Sequence, residues 1–160
     1  MKPWPRLLAA ISIILLSGCG YHLRGADRTA LPASLKTVYL QAQPFSELTT
    51  ALRLRLDAAG SDMVEGPGRG VAVISLSGER FDQGLITLSG DGRSREYQLT
   101  YQVQLAVQGA ANMTPQRVSL VRSYLGDERD RLGQAEQQEL LRVEMARELA
   151  DQIVYRLRAL

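Results

Sequence analysis

The chain has 160 residues, 45% of them hydrophobic and 22% charged, enough for one domain with its own core. Its 19 basic and 17 acidic residues give a formal net charge of +2, which excludes a nucleic-acid binder that relies on bulk charge. A single cysteine excludes an internal disulfide framework and a cysteine-built metal centre.

Residues 1–18 open with Lys2 and Arg6, continue as an apolar run over 7–16 and close on two small residues, Ser17 and Gly18. That is the layout of a secretory signal, too short and wrongly flanked for a spanning helix. The next residue is Cys19, and Leu16, Ser17, Gly18 and Cys19 resemble the lipobox of bacterial lipoproteins. The resemblance implies that residues 1–18 are removed and that Cys19, as the new N-terminus, carries a diacylglycerol and an N-acyl chain. The alternative is an ordinary secreted chain cut near Gly18, with Cys19 left as a free thiol. Each buried methylene of a lipid anchor contributes about 0.8 kcal/mol, so three chains bind a membrane essentially permanently. Gly20 follows the cysteine where an inner-membrane retention signal would have aspartate, so the resemblance implies the outer membrane. Removal of the signal takes two basic residues and no acidic one, leaving 142 residues with no net formal charge. The pI of 8.9 therefore belongs partly to the signal. No later segment is apolar for long enough to cross a bilayer.

Residues 19–35 read as the lipidated N-terminus and a tether, aperiodic and punctuated by Gly20, Gly25 and Pro32. Residues 36–160 read as a single domain. Its first strand is predicted over 36–41, alternating and rich in strand formers, and Pro44 stops it. Ser46 is a good N-cap, Glu47 suits the first turn, and Leu48, Ala51, Leu52, Leu56 and Ala59 recur at helical spacing until Gly60. The predicted helix has about four turns. Residues 65–70 are a loop by composition. A second strand starts over 71–76 and continues less regularly to 88, with Gly78 and Gly84 expected at bulges or bends. Gly90, Asp91 and Gly92 supply a tight hairpin.

The third strand carries the clearest period. Tyr97, Leu99, Tyr101, Val103, Leu105 and Val107 fall on odd positions; Gln98, Thr100, Gln102, Gln104 and Gln108 fall on even ones. One face is therefore packed and the other is neutral and hydrogen-bonding, the mark of an antiparallel sheet covered on one side. A turn over 112–116 leads to a fourth strand over 117–125, a charged connection over 126–133 and a long helix over 134–157. The helix has an apolar stripe of Leu140, Val143, Ala146, Ala150, Ile153, Val154 and Leu157. The order β-α-β-β-β-α predicts an α+β two-layer sandwich: a four-stranded, mainly antiparallel sheet with two helices on one face.

Three stretches together resemble the LptE family of lipopolysaccharide-assembly lipoproteins: Gly20, Tyr21, His22, Leu23 and Arg24 abutting the lipobox cysteine; Arg95, Glu96, Tyr97, Gln98 and Leu99 after the glycine turn; and Val121, Arg122, Ser123 and Tyr124 in the fourth strand. Element order, length and termini agree over essentially the whole mature chain, although the polar C-terminal extension of some members is lacking. The resemblance implies a lipoprotein that plugs an LptD-like outer-membrane β-barrel, helps it assemble, and binds lipopolysaccharide during insertion into the outer leaflet. Its partners would be that barrel, lipopolysaccharide and the membrane that holds its anchor, with no nucleic acid and no cofactor beyond the acyl chains.

Lipopolysaccharide presents phosphates, which call for exposed cations. Arg93 and Arg95 flank the hairpin; Arg129 and Arg131 precede the last helix, interleaved with Asp127, Glu128 and Asp130. The family's lipopolysaccharide-binding basic residues lie in these two regions; here they are displaced by a few positions and the second loop is charge-balanced. The same residues also read as solvated loop charges. Gln98, Gln102 and Gln104 are candidates for contact with a polar barrel wall or with sugars, or are plainly solvated. Tyr21, beside the anchor, suits an interface, and His22, the only histidine, reads as a polar surface contact that cannot form a metal site alone. Tyr97 and Tyr101 read as core. No nucleophile elbow, P-loop, metal-ligand cluster or dinucleotide turn is present, so the expectation is a protein that is not an enzyme. A second reading is an outer-membrane lipoprotein adaptor or lipid-binding subunit of another envelope transport complex. A lipid carrier needs an apolar cavity for which this fold leaves little room, whereas a plug needs wide polar contact surface.

Overall fold

In a computed structural model, residues 31–88, 94–127 and 131–160 are described. The order is a 3₁₀ turn (Ala33–Leu35), β1 (Thr37–Gln41), α1 (Glu47–Ala58), β2 (Asp62–Val64), β3 (Ala72–Leu88), β4 (Ser94–Gly109), β5 (Met113–Asp127) and α2 (Arg131–Leu157). The sheet runs β2-β1-β3-β4-β5, with β1 parallel to both β2 and β3 and the β3–β4–β5 meander antiparallel.

The α+β sandwich is present, with five strands where four were expected. The fifth, β2, has three residues in a stretch left unassigned after Gly60, too short to show a period. It pairs through Asp62, whose N–H donates to the Lys36 carbonyl at 2.6 Å. Because β1 lies parallel between β2 and β3, the sheet is mixed, and α1 is the crossover between β1 and β2.

β3 is one 17-residue strand. Its irregular sequence has a physical cause in a bulge between Ser77 and Arg80, where Gly78 takes φ +62°. The extra residue flips the alternation. Before it the even residues Ala72, Ile74 and Leu76 are buried; after it Phe81 pairs with buried Tyr101 on that same face. Gly84 pairs regularly with Gln98, and the second irregularity falls just after it, between Leu85 and Thr87.

One face of the sheet meets the helices. Val38, Leu40, Ile74, Leu99, Tyr101, Val103, Leu105, Val107 and Val118 pack against Leu48, Leu52 and Leu56 of α1 and Met145, Leu149, Ile153 and Leu157 of α2. Burying a Leu or Ile side chain contributes about 1.5–3 kcal/mol, so this layer holds the fold without disulfides. Arg55 of α1 with Asp151 of α2, and Arg122 of β5 with Glu144 and Glu148 of α2, tie the exposed rims. Tyr101 is core as expected, 1% exposed, and Tyr97 is half-buried against that core.

Candidate functional site

The two faces of β4 differ along its length, and the outer one bears no covering element among the described residues. Gln98 and Gln108 are exposed there, and Thr100, Gln102 and Gln104 are half-exposed. The strand register extends this row sideways. Gln104 lies between Ser77 and Arg117, Gln102 between Arg80 and Ser119, Thr100 between Asp82 and Val121, and Gln98 between Gly84 and Ser123. The candidates Gln98, Gln102 and Gln104 thus sit at the centre of a three-strand surface of amides and hydroxyls. That surface is not uncharged throughout, as the β4 sequence alone suggested. Neighbouring strands add Arg117 and an Arg80–Asp82 pair at 3.2 Å, whose charges are mutually satisfied and solvated. Such a surface offers donors and acceptors over a wide area.

The far end of the meander is built differently. Ser94 is opposite Asp127 and Arg95 opposite Gly126, so the strand ends that lead into 89–93 and 128–130 are side by side. Arg95 is therefore placed on β4, paired with Leu88 and Gly126, and Arg131 is the first residue of α2. Cys19, Tyr21, His22, Arg93 and Arg129 lie outside the described residues.

This end is locked by aromatics. Tyr97 stacks on Tyr124 with centroids 5.3 Å apart and planes at 22°, and Gln83 donates to the Tyr124 hydroxyl at 2.9 Å. Burial, then the neighbouring Tyr97, pushes the Tyr124 phenol above its ordinary pKa. Gly126 must stay small: a β-carbon there would lie 2.8 Å from Gln134 Nε2 and 2.9 Å from Tyr97 Cε2. Around this knot Leu85 and Ile86 are 50% exposed, Leu125 72% and Leu132 75%. Sequence reasoning missed this apolar collar. Leu125 was legible, since it continues the outward parity of Val121 in the fourth strand, but the two β3 irregularities hid Leu85 and Ile86.

Inside the sandwich, the Tyr101 hydroxyl donates to Glu79 Oε1 at 2.6 Å, and Glu79 Oε2 is buried without a partner. Burial first, then the hydrogen bond and charge of Glu79, push the Tyr101 phenol far above its ordinary pKa. One carboxylate and one phenol provide no nucleophile–base pair. Among the described residues no cluster of His, Cys, Asp or Glu has the makings of a metal site, and no helix is long and apolar enough to cross a membrane.

This architecture is found in known proteins. Rare lipoprotein B from Shewanella oneidensis superposes with a TM-score of 0.69 at 27% identity, covering 77% of this chain and 94% of that one. Lipoprotein B from Nitrosomonas europaea superposes with a TM-score of 0.70 at 25% identity, covering 88% and 91%. In sequence, the LPS-assembly lipoprotein LptE of Pectobacterium atrosepticum is 30% identical over 94% of this chain and 83% of its own length. The protein of the same name from Yersinia enterocolitica is 29% identical over 94% and 73%. The family model described as LptE, Lipopolysaccharide-assembly, matches residues 35–157, from the 3₁₀ turn to the end of α2. Its match spans every strand and both helices, and the chain belongs to the LptE lipopolysaccharide-assembly family.

Proposed function

We propose that the chain is the lipoprotein subunit of an outer-membrane lipopolysaccharide translocon. It is anchored through acylated Cys19, plugs and helps assemble an LptD-type β-barrel, and binds lipopolysaccharide during insertion into the outer leaflet. The observation that carries this reading is the family match over residues 35–157, on a fold whose outer sheet face is hydrogen-bonding and uncovered among the described residues. A barrel lumen is lined by polar side chains, and rows of Gln and Ser fit such a wall with little charge to desolvate. The chain does no catalysis in this role and needs no cofactor beyond its acyl chains.

Lipopolysaccharide is amphipathic, and the loop end of the meander is suited to it. Phosphates would meet Arg93, Arg95, Arg129 and Arg131, while Leu85, Ile86, Leu125 and Leu132 offer apolar surface beside those loops. Tyr21 and His22 would meet the barrel near the anchor.

The test is a mild-detergent pull-down of a C-terminally tagged chain from native membranes, with bound protein and lipid identified by mass. The expected result is one large β-barrel in about equimolar amount, with lipopolysaccharide in the same sample. Loss of the lipid but not the barrel on Arg93→Glu with Arg95→Glu would assign the lipid site to the hairpin. Recovery of an inner-membrane transporter or a soluble lipid shuttle, with no barrel, would overturn the reading in favour of an envelope adaptor.

A further inference from the structure

Phe45, in the connection between β1 and α1, has φ +64°, alone among the described non-glycine residues in the left-handed region. A side chain there crowds its own backbone, a cost that glycine avoids. The ring is 99% exposed, so it contributes nothing to the core. Its position also suits a hydrophobic staple, in which the residue before the N-cap packs on the fourth helical residue. That residue is Thr50, whose hydroxyl instead donates to the Ser46 carbonyl at 3.0 Å. Neither local role explains the residue.

The strained conformation is nonetheless firmly held. Ser46 Oγ accepts the Thr49 N–H at 3.0 Å and donates to Thr49 Oγ1 at 2.8 Å. Thr49 Oγ1 in turn donates to the Gln43 carbonyl at 2.9 Å. The Gln43 carbonyl before Phe45 and the Ser46 side chain after it are thus both pinned to one buried threonine, and Pro44 fixes a further dihedral. Strain maintained by its surroundings is a mark of functional segments, and a rigid exposed ring loses little entropy on binding.

The helix layer that begins two residues on has a definite chemistry. Glu47, Thr50, Ala51, Leu54 and Arg55 on one stripe of α1, with Arg147 of α2, line a shallow depression of about 130 Å³. Leu54 is 62% exposed. Arg55 is engaged by Asp151, whereas Arg147 has no ion-pair partner among the described residues. A fixed aromatic, an exposed leucine and a free guanidinium ask of a partner an apolar pocket with a carboxylate on its rim.

We propose that Phe45 is a docking anchor, inserted into an apolar pocket of the barrel subunit while Arg147 meets a carboxylate at that pocket's edge. The proposal rests on the translocon reading above and adds a contact that the glutamine face does not provide. It belongs to the helix layer, so a barrel that encloses the chain would be engaged on both of its sides.

The test compares the full chain with its Phe45→Gly and Arg147→Glu variants, each purified with and without the barrel subunit. Glycine relieves the backbone strain, so the free Phe45→Gly chain should melt about 2–4 °C higher. Its affinity for the barrel should nevertheless fall about 10- to 100-fold, with a smaller loss for Arg147→Glu. A photo-crosslinking phenylalanine analogue at position 45 should label the barrel. Unchanged affinity of Phe45→Gly, a lower melting temperature of that free variant, or labelling of lipid alone would each overturn the anchor. If the unmodified chain recovers no barrel at all, the translocon reading fails first, and the two failures are thereby told apart.

Discussion

Single residues in this fold often do two jobs, and Tyr101 shows how they can be separated. It is among the largest buried side chains and is also the donor that satisfies one oxygen of Glu79. Tyr101→Phe keeps the ring and removes the donor, leaving the half-buried Glu79 with neither oxygen hydrogen-bonded among the described residues. The expected cost is about 1–3 kcal/mol at neutral pH, read as a lower urea midpoint with an unchanged slope. The same bond sets an alkaline limit. The folded-state pKa of Tyr101 is raised, so the native state holds its proton after the unfolded chain has released it. That stabilisation is complete below the unfolded value of about 10 and is lost as pH rises beyond it. Denaturation midpoints should therefore fall above about pH 10, and the fall should be shallower in Tyr101→Phe. Tyr124, shifted in the same direction, adds to the fall.

Elements meet where glycine allows it, and two of these places predict an order of sensitivity. Gly109 ends β4 at φ +97°, and a β-carbon there would sit 2.4 Å from the Val71 carbonyl oxygen. Backbone cannot swing aside, and the same carbonyl accepts the Ala110 N–H at 3.3 Å. At Gly126 the obstacles are side chains, the far end of Gln134 and the stacked Tyr97 ring, rather than backbone. Gly109→Ala should therefore destabilise more than Gly126→Ala, whose cost is about 1–3 kcal/mol. Hydrogen exchange should show loosening at the first turns of α2 for Gly126→Ala and at the β3–β4 end for Gly109→Ala. This dependence on distant partners marks the limit of what sequence conveys. The β4 alternation and the Ser46 cap were legible because each is a local pattern, and Ser46 does accept the Thr49 N–H. β2 was not, since three residues gain their order from β1 pairing. The Glu79–Tyr101 bond and the apolar collar were hidden for the same reason: a bulge reset the parity of β3, and only the register across strands shows which side chains share a face. Of the candidate site, the glutamine row was legible and the charges that border it were not.

At the scale of the whole molecule, two surfaces offered to a partner lie on different layers: the outer sheet face around Gln102 and Gln104, and the Phe45 knob at the start of α1. They share no described hydrogen-bond or ion-pair partner, so a binding partner that touched only one would leave the other free to vary. A barrel that encloses the chain touches both. Replacing Gln102 and Gln104 by glutamate sets two charges near the Arg80–Asp82 pair, on a surface already solvated, and should change stability by no more than about 0.5 kcal/mol. Against a polar wall the same charges must be desolvated, so recovery of the barrel should fall. Combining this pair with Phe45→Gly then gives a thermodynamic cycle. Energies at distant sites without shared partners add to within about 0.3–0.5 kcal/mol, so the losses of barrel affinity should sum if both surfaces contact it independently. A combined loss no greater than the larger single one would mean that one surface engages only after the other is seated. An unchanged affinity for the glutamate pair alone would leave the sheet face as solvated surface and the helix side as the principal contact.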